Sequence, residues 1–97
     1  MADQRVAVIT GAAKGIGRYV AKTFAHDNAA VVVVDIVPLD NIVKELEELG
    51  ANYSSFKCDV RSASDVRKLM KQTHDRFGRI DVLVNNAAIV THFPTQV

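Results

Sequence analysis

The sequence predicts an α/β fold with an open, doubly wound parallel sheet. Short β-branched segments alternate along the chain with stretches that show helical spacing of apolar residues, in the order β-α-β-α-β-α-β. The segment 30–36 (AVVVVDI) is apolar without alternation, which is typical of a parallel strand covered on both faces. A glycine-rich loop directly follows the first strand. Strands that alternate with helices indicate a parallel sheet with right-handed crossovers.

The four strands are expected to be short and bounded by glycines or polar residues. The first, RVAVIT, is β-branched and is ended by Gly11. The third is YSSFKCDV, and the fourth is the apolar segment RIDVLVNNA. The predicted strands cover residues 5–10, 30–36, 53–60 and 79–87.

Three helices are predicted between these strands. The first starts at Gly15 and extends to about residue 27, the second opens at Pro38 and Asp40, and Gly50 ends it. The third begins with Ser62 and Asp65 as a capping box and is closed by Gly78. Their predicted inward residues are Ile16, Val20 and Phe24; Ile42, Val43, Leu46 and Leu49; and Val66, Leu69, Met70 and Phe77.

Composition indicates an ordinary globular protein and excludes several partners. The chain has 97 residues and a formal net charge of +1 with interspersed signs, so we expect one domain over 1–97 and no binding of nucleic acid. The lone Cys58 excludes an internal disulfide, and no Cys/His pattern suggests a metal. The longest apolar run, 29–34, is too short for a membrane span, and the N-terminus lacks a signal-peptide pattern. We therefore expect a cytoplasmic protein without membrane contact.

The glycine-rich loop reads TGAAKGIG and fits one phosphate-binding pattern better than two others. The Walker pattern requires a glycine and then a lysine at the positions that Ile16 and Gly17 occupy after Gly11, so it does not fit. The pattern G-x-G-x-x-G fits Gly15 and Gly17 but has Val20 in place of its third glycine. What remains is T-G-x-x-x-G-x-G. Gly11 permits a sharp turn, and the other two glycines let the backbone approach a pyrophosphate at the helix N-terminus. A glycine-rich turn without a ligand is the alternative.

Asp35 ends the second strand, 24 residues after Gly11. A dinucleotide-binding fold places there the acid that binds the adenosine ribose hydroxyls. Because a carboxylate accepts hydrogen bonds from a diol and repels a 2′-phosphate, Asp35 favours NAD over NADP. The alternative is that Asp35 is a solvated acid at a strand end. Lys14 weakly opposes the preference for NAD, because a cation in the loop could bind a phosphate.

Four motifs in register, TGAAKGIG, VVVVDI, CDV and DVLVNNAA, resemble the N-terminal half of a short-chain dehydrogenase/reductase. The resemblance covers nearly the whole chain and implies a Rossmann-type sheet with strand order 3-2-1-4. Ala88 stands where the family usually has glycine. The resemblance also implies the cofactor contacts: Gly11, Gly15, Ile16 and Gly17 line the pyrophosphate, Asp35 binds the adenosine ribose, Asp59 and Val60 flank the adenine, and Asn86 and Ala87 lie beside the nicotinamide ribose.

The family's catalytic residues are a Ser, a Tyr and a Lys four residues after the Tyr on a helix, and the chain ends before that region. Tyr53 and Lys57 have the spacing, but they lie on a predicted strand, where their α-carbons are about 13 Å apart at ~3.3 Å per residue. Helical neighbours at this spacing lie roughly 5–6 Å apart. We therefore expect no catalytic residue here, and we interpret His26, His74, His92 and Cys58 as structural or surface residues.

The resulting hypothesis is the NAD(H)-binding portion of an oxidoreductase, inactive by itself, that lacks the family's C-terminal half. A non-catalytic NAD-binding or interaction module is the alternative. In strand order 3-2-1-4, the fourth strand lies at an edge whose free backbone groups can pair with another chain. We therefore expect a possible self-association through this strand.

Overall fold

The computed structural model describes residues 4–86 of the chain. Strands and helices alternate in the predicted order throughout this part. The elements are β1 (Val6–Thr10), α1 (Gly15–His26), β2 (Ala30–Asp35), α2 (Asp40–Glu48), β3 (Tyr53–Lys57), α3 (Ala63–Phe77) and β4 (Val82–Asn85).

The four strands form one parallel sheet in the order β3-β2-β1-β4, which confirms the predicted fold. The register pairs Thr10 with Val34 and with Asn85, and it pairs Asp35 with Lys57. All carboxyl ends therefore lie along one edge of the sheet, where such folds bind their ligands.

The core lies on both faces of the two central strands. Every residue of β1 is buried, as are the alanine and the four valines of β2 that precede Asp35. This burial explains why neither strand alternates between apolar and polar residues. One face packs against α1 and α2, and the other packs against α3. The two clusters centre on Ala7, Ile9, Ala21, Val31, Val33, Ile42 and Leu46, and on Val6, Val8, Val32, Val34 and Leu69.

β3 and β4 are several residues shorter than predicted, whereas β1 and β2 are each shorter by one residue. The N–H of Cys58 donates the last bond between β3 and β2, to the main-chain carbonyl of Asp35. The chain then turns at Asp59, so β3 ends at Lys57. β4 begins only at Val82, because the carboxylate of Asp81 accepts the N–H of Val6 and the guanidinium of Arg79. Residue 87, the predicted end of the fourth strand, lies outside the described residues.

The predicted cap of α3 forms in part. The hydroxyl of Ser62 accepts the N–H of Asp65, but the Asp65 carboxylate accepts the N–H of Asp59 instead of reaching back to Ser62. Gly78 ends the helix with φ 78, as predicted. Thr73 is buried on the inner face of α3 although the pattern did not single it out, and its hydroxyl has no hydrogen-bond partner among residues 4–86.

Candidate functional site

The glycine loop, residues 11–17, turns sharply off β1 and lies on the end of β2. Gly11 and Gly15 both have φ 65, a left-handed conformation that glycine adopts without strain. Between them, the N–H of Ala12 donates to the carbonyl of Val34 at 3.1 Å. Ala12 and Ala13 are buried, so this part of the loop packs into the core.

The N-terminus of α1 has no cap from a side chain. Lys14 occupies the N-cap position without a side-chain hydrogen bond, and the first turn of α1 carries no acidic residue. By contrast, α3 has the Ser62 cap and Asp65, and α2 has Asp40 in its first turn. Since the first N–H groups of a helix have no partner within it, those of α1 can bind an external anion.

Gly17 lies too close to Gly11 to carry a side chain. A Cβ atom at Gly17 would stand 2.1 Å from the carbonyl oxygen of Gly11 and 2.8 Å from Nδ2 of Asn86. The third glycine of the loop is thus required by packing of the first turn of α1 against the start of the loop.

Asn86 joins the end of β4 to the end of β1. Its N–H donates to the hydroxyl of Thr10 at 2.9 Å, and its Nδ2 donates to the carbonyl of Gly11 at 3.4 Å. The Thr10 hydroxyl also donates to Oδ1 of Asn85 at 3.1 Å. Asn86 therefore lies beside the glycine loop, whereas Ala87 is outside the described residues.

Asp35 is half-buried at the end of β2 and accepts three backbone N–H groups. Its Oδ2 accepts the N–H of Ala13 at 3.0 Å. Its Oδ1 accepts those of Ile36 at 2.8 Å and Val37 at 3.4 Å. The carboxylate therefore lies directly between the glycine loop and the turn that leads into α2.

Asp59 and Val60 follow β3 at the same edge of the sheet, next along from Asp35. The N–H and guanidinium of Arg61 bond to the Asp59 carboxylate at 2.9–3.0 Å, which lowers the pKa of Asp59. Val60 is half-buried against the α3 side of the core. The structure thus brings the predicted residues from 11 to 86 to one edge of the sheet.

Sequence reasoning missed an ion pair that joins α1 to α2. Arg18, next to Gly17, donates from its Nε and a terminal nitrogen to both carboxylate oxygens of Glu45, each at 2.7 Å. These bonds lower the pKa of Glu45 to about 2. The two residues are 27 positions apart, and only a model of helix packing could have paired them.

The other potentially reactive side chains in residues 4–86 include Tyr53, Cys58, His26 and His74. The hydroxyl of Tyr53 donates to Glu47 at 2.6 Å, and this bond raises the pKa of Tyr53, the opposite of what a general base needs. Burial raises the pKa of Cys58. His26 and His74 are exposed on helices, whereas His92 lies outside the described residues.

The described part of the chain holds neither a cluster of metal ligands nor a helix that could span a membrane. Residues 4–86 contain no group of three potential metal ligands. In the same range, no helix has the length and hydropathy needed to cross a bilayer.

Comparison with known proteins gives consistent matches over nearly the whole chain. The 7alpha-hydroxysteroid dehydrogenase of Escherichia coli (strain K12) is 39% identical over 87 residues, which are 88% of this chain and 34% of the relative. The chain therefore spans about a third of the length of such curated relatives.

Solved structures of similar chains share the fold of residues 4–86. A variant of actinorhodin polyketide ketoreductase with NADPH matches with a TM-score of 0.84 and 37% identity, over 90% of this chain and 34% of that one. A short chain dehydrogenase from Mycobacterium paratuberculosis bound to NAD matches with a TM-score of 0.81 and 31% identity, over 86% and 36%. The sequence profile of the short chain dehydrogenase family matches residues 5–96, and the chain belongs to that family.

Proposed function

We propose that this chain is the NAD(H)-binding part of an oxidoreductase that interconverts an alcohol and a carbonyl compound. The observation that carries the proposal is the uncapped N-terminus of α1 beside a glycine loop with no room for a Cβ atom at Gly17. The uncapped N-terminus suits an anion such as a pyrophosphate, and Gly17 lets α1 begin directly against the start of the loop, which brings that N-terminus to the site. The bound nicotinamide supplies hydride transfer in this family. The Ser and Tyr-x-x-x-Lys pattern is absent from the helices of this sequence, so we propose that the chain alone binds without transferring hydride.

The proposed contacts that lie within residues 4–86 have a physical rationale. The loop N–H groups and the α1 dipole attract the two phosphates, and Asp35 has further lone pairs that can accept ribose hydroxyls. Asp59 and Val60 lie one strand further out, where an adenine ring would reach, and Asn86 lies on the β4 side of the loop. The proposed contacts are Gly11, Gly15, Ile16 and Gly17 for the pyrophosphate, Asp35 for the adenosine ribose, Asp59 and Val60 for the adenine, and Asn86 and Ala87 for the nicotinamide ribose.

NAD is the proposed cofactor, and Asp35 is the reason. A 2′-phosphate beside this carboxylate would place two anions together, whereas a ribose diol would donate to it. Among the matched structures, one holds NAD and another holds NADPH, so the preference has to be measured on this chain.

We expect NADH to bind saturably, and more tightly than NADPH, when its fluorescence is followed in a titration of the purified chain. Loss of hydrogen bonds to a charged group in Asp35→Ala should weaken NADH binding about tenfold to a hundredfold. Asp40→Asn is the matched control, because it removes an exposed carboxylate in the first turn of α2. Equal affinity for both cofactors would refute the preference, and absence of binding to a folded chain would refute the function.

We also propose that two copies of the chain associate through β4. This strand pairs only with β1 among the described residues, so its other edge presents free backbone groups. Leu83 is 53% exposed on this strand. In sedimentation velocity, we expect a concentration-dependent dimer that Leu83→Lys shifts to monomer, while Leu49→Lys at the far end of α2 leaves it intact. A monomer at all concentrations would contradict the proposal.

We propose that residues 1–97 form one domain, because the sheet of residues 4–86 shares two continuous core clusters. We propose a cytoplasmic location because a lone, buried thiol at Cys58 suits a reducing compartment.

A further inference from the structure

The carboxylate of Asp35 connects two segments that are far apart along the chain. Ala13, in the glycine loop, is 22 residues away, and its N–H reaches Oδ2 at 3.0 Å. Ile36 and Val37, in the turn before α2, donate to Oδ1 at 2.8 and 3.4 Å. The same side chain thus bonds to both walls of the proposed adenosine-ribose site.

The bond from Ala13 is one of two that hold the middle of the loop on β2. The other is the main-chain bond from the N–H of Ala12 to Val34. Left-handed glycines stand on either side of this segment, at Gly11 and Gly15. Because glycine has the largest conformational freedom of any residue, a loop between two glycines needs such bonds to stay in one conformation.

We propose that Asp35 is a positioning residue for the glycine loop, which it holds against the turn before α2 before any nucleotide binds. This inference deepens the proposed function and rests on it for its meaning in binding, although the three hydrogen bonds belong to the chain alone. A loop that is already ordered loses less conformational entropy when a ligand binds. Asp35 therefore contributes to affinity twice, through the ribose and through the loop.

Two substitutions together separate the acceptor role of Asp35 from its charge. In Asp35→Asn, one oxygen still accepts hydrogen bonds, but the NH₂ group faces either Ala13 or the pair Ile36 and Val37, all of which are donors. One of the two connections must therefore break. Asp40→Asn removes the same charge five residues later with no bond to the loop.

The test is amide hydrogen exchange followed by NMR on the full chain without cofactor. In Asp35→Asn we expect protection at Ala13, or at Ile36 and Val37, to fall about tenfold to a hundredfold. The proton of the affected amide should also shift upfield, while Asp40→Asn leaves all three unchanged. Unchanged protection and shifts in a folded Asp35→Asn variant would overturn the proposal.

A second measurement on the unmodified chain keeps the test decisive if Asp35→Asn fails to fold. A scalar coupling through the hydrogen bond, from the nitrogen of Ala13 to the carboxylate carbon of Asp35, is expected without nucleotide, and its absence would overturn the proposal. A separate NADH titration distinguishes the two claims. Coupling without NADH binding refutes the proposed function only, and NADH binding without coupling refutes the loop-positioning role only.

Discussion

Gly17→Ala is expected to abolish NADH binding and to destabilise the fold. The added Cβ atom would lie 2.1 Å from the carbonyl oxygen of Gly11 and 2.8 Å from its carbon, so backbone has to move. Overpacking of this kind costs typically about 1–3 kcal/mol, and the upper end applies here because no flexible side chain can yield at Gly11. The displaced loop would also withdraw the N–H groups that face the proposed pyrophosphate.

The measurements are urea unfolding and NADH titration of the same sample. Gly50→Ala is the control, since Gly50 has φ 68, lies beyond the end of α2 and has nothing within 4 Å of an added Cβ. In Gly50→Ala, backbone strain alone should lower the free energy of unfolding by about 1–2 kcal/mol, while the affinity for NADH stays unchanged. If Gly17→Ala keeps both its stability and its affinity, the close approach of α1 to Gly11 is wrong.

The sequence was sufficient for the fold and for the edge of the sheet that carries the site. Helical and strand periodicities are local, and burial of β1 and β2 on both faces leaves a readable apolar run in each. The glycine spacing likewise marked Gly17, because a position without room for a Cβ atom admits one residue type. The strand order 3-2-1-4, by contrast, was predicted from the resemblance to the short-chain dehydrogenase/reductase family and not from these patterns.

What the sequence did not reveal depends on contacts between distant segments. The pair Arg18 and Glu45 and the bond from Ala13 to Asp35 exist only once α1, β2 and α2 have packed. The early end of β3 and the late start of β4 have a similar origin, since charged residues such as Arg61 and Arg79 redirect the chain through specific ion pairs. Patterns of hydrophobicity carry no information about which donor meets which acceptor.

Leu46→Ala is expected to produce the second large effect, a loss of about 2–5 kcal/mol in the free energy of unfolding. Leu46 and Ile42 are the two fully buried residues of α2, and both pack in the cluster with Val31 and Val33. The alanine would leave a cavity between α2 and the sheet. Urea unfolding at constant pH measures the loss, and Leu49→Ala, 41% exposed at the end of the same helix, should change it by less than about 1 kcal/mol.

Leu46→Ala also tests how α2 supports the site. The helix is held to the sheet by Leu46, to α1 by the bond of Glu45 to Arg18, and to the end of β2 through the turn that Asp35 holds. Since the packing of Leu46 stabilises α2 more than the other two contacts do, its removal should let α2 open locally before the rest of the sheet unfolds. Hydrogen exchange in Leu46→Ala should then rise first in α2 and at Ile36 and Val37, with β1 still protected. A uniform rise over all strands would mean that α2 and the sheet unfold as one unit, and that the ribose side of the site is as stable as the core.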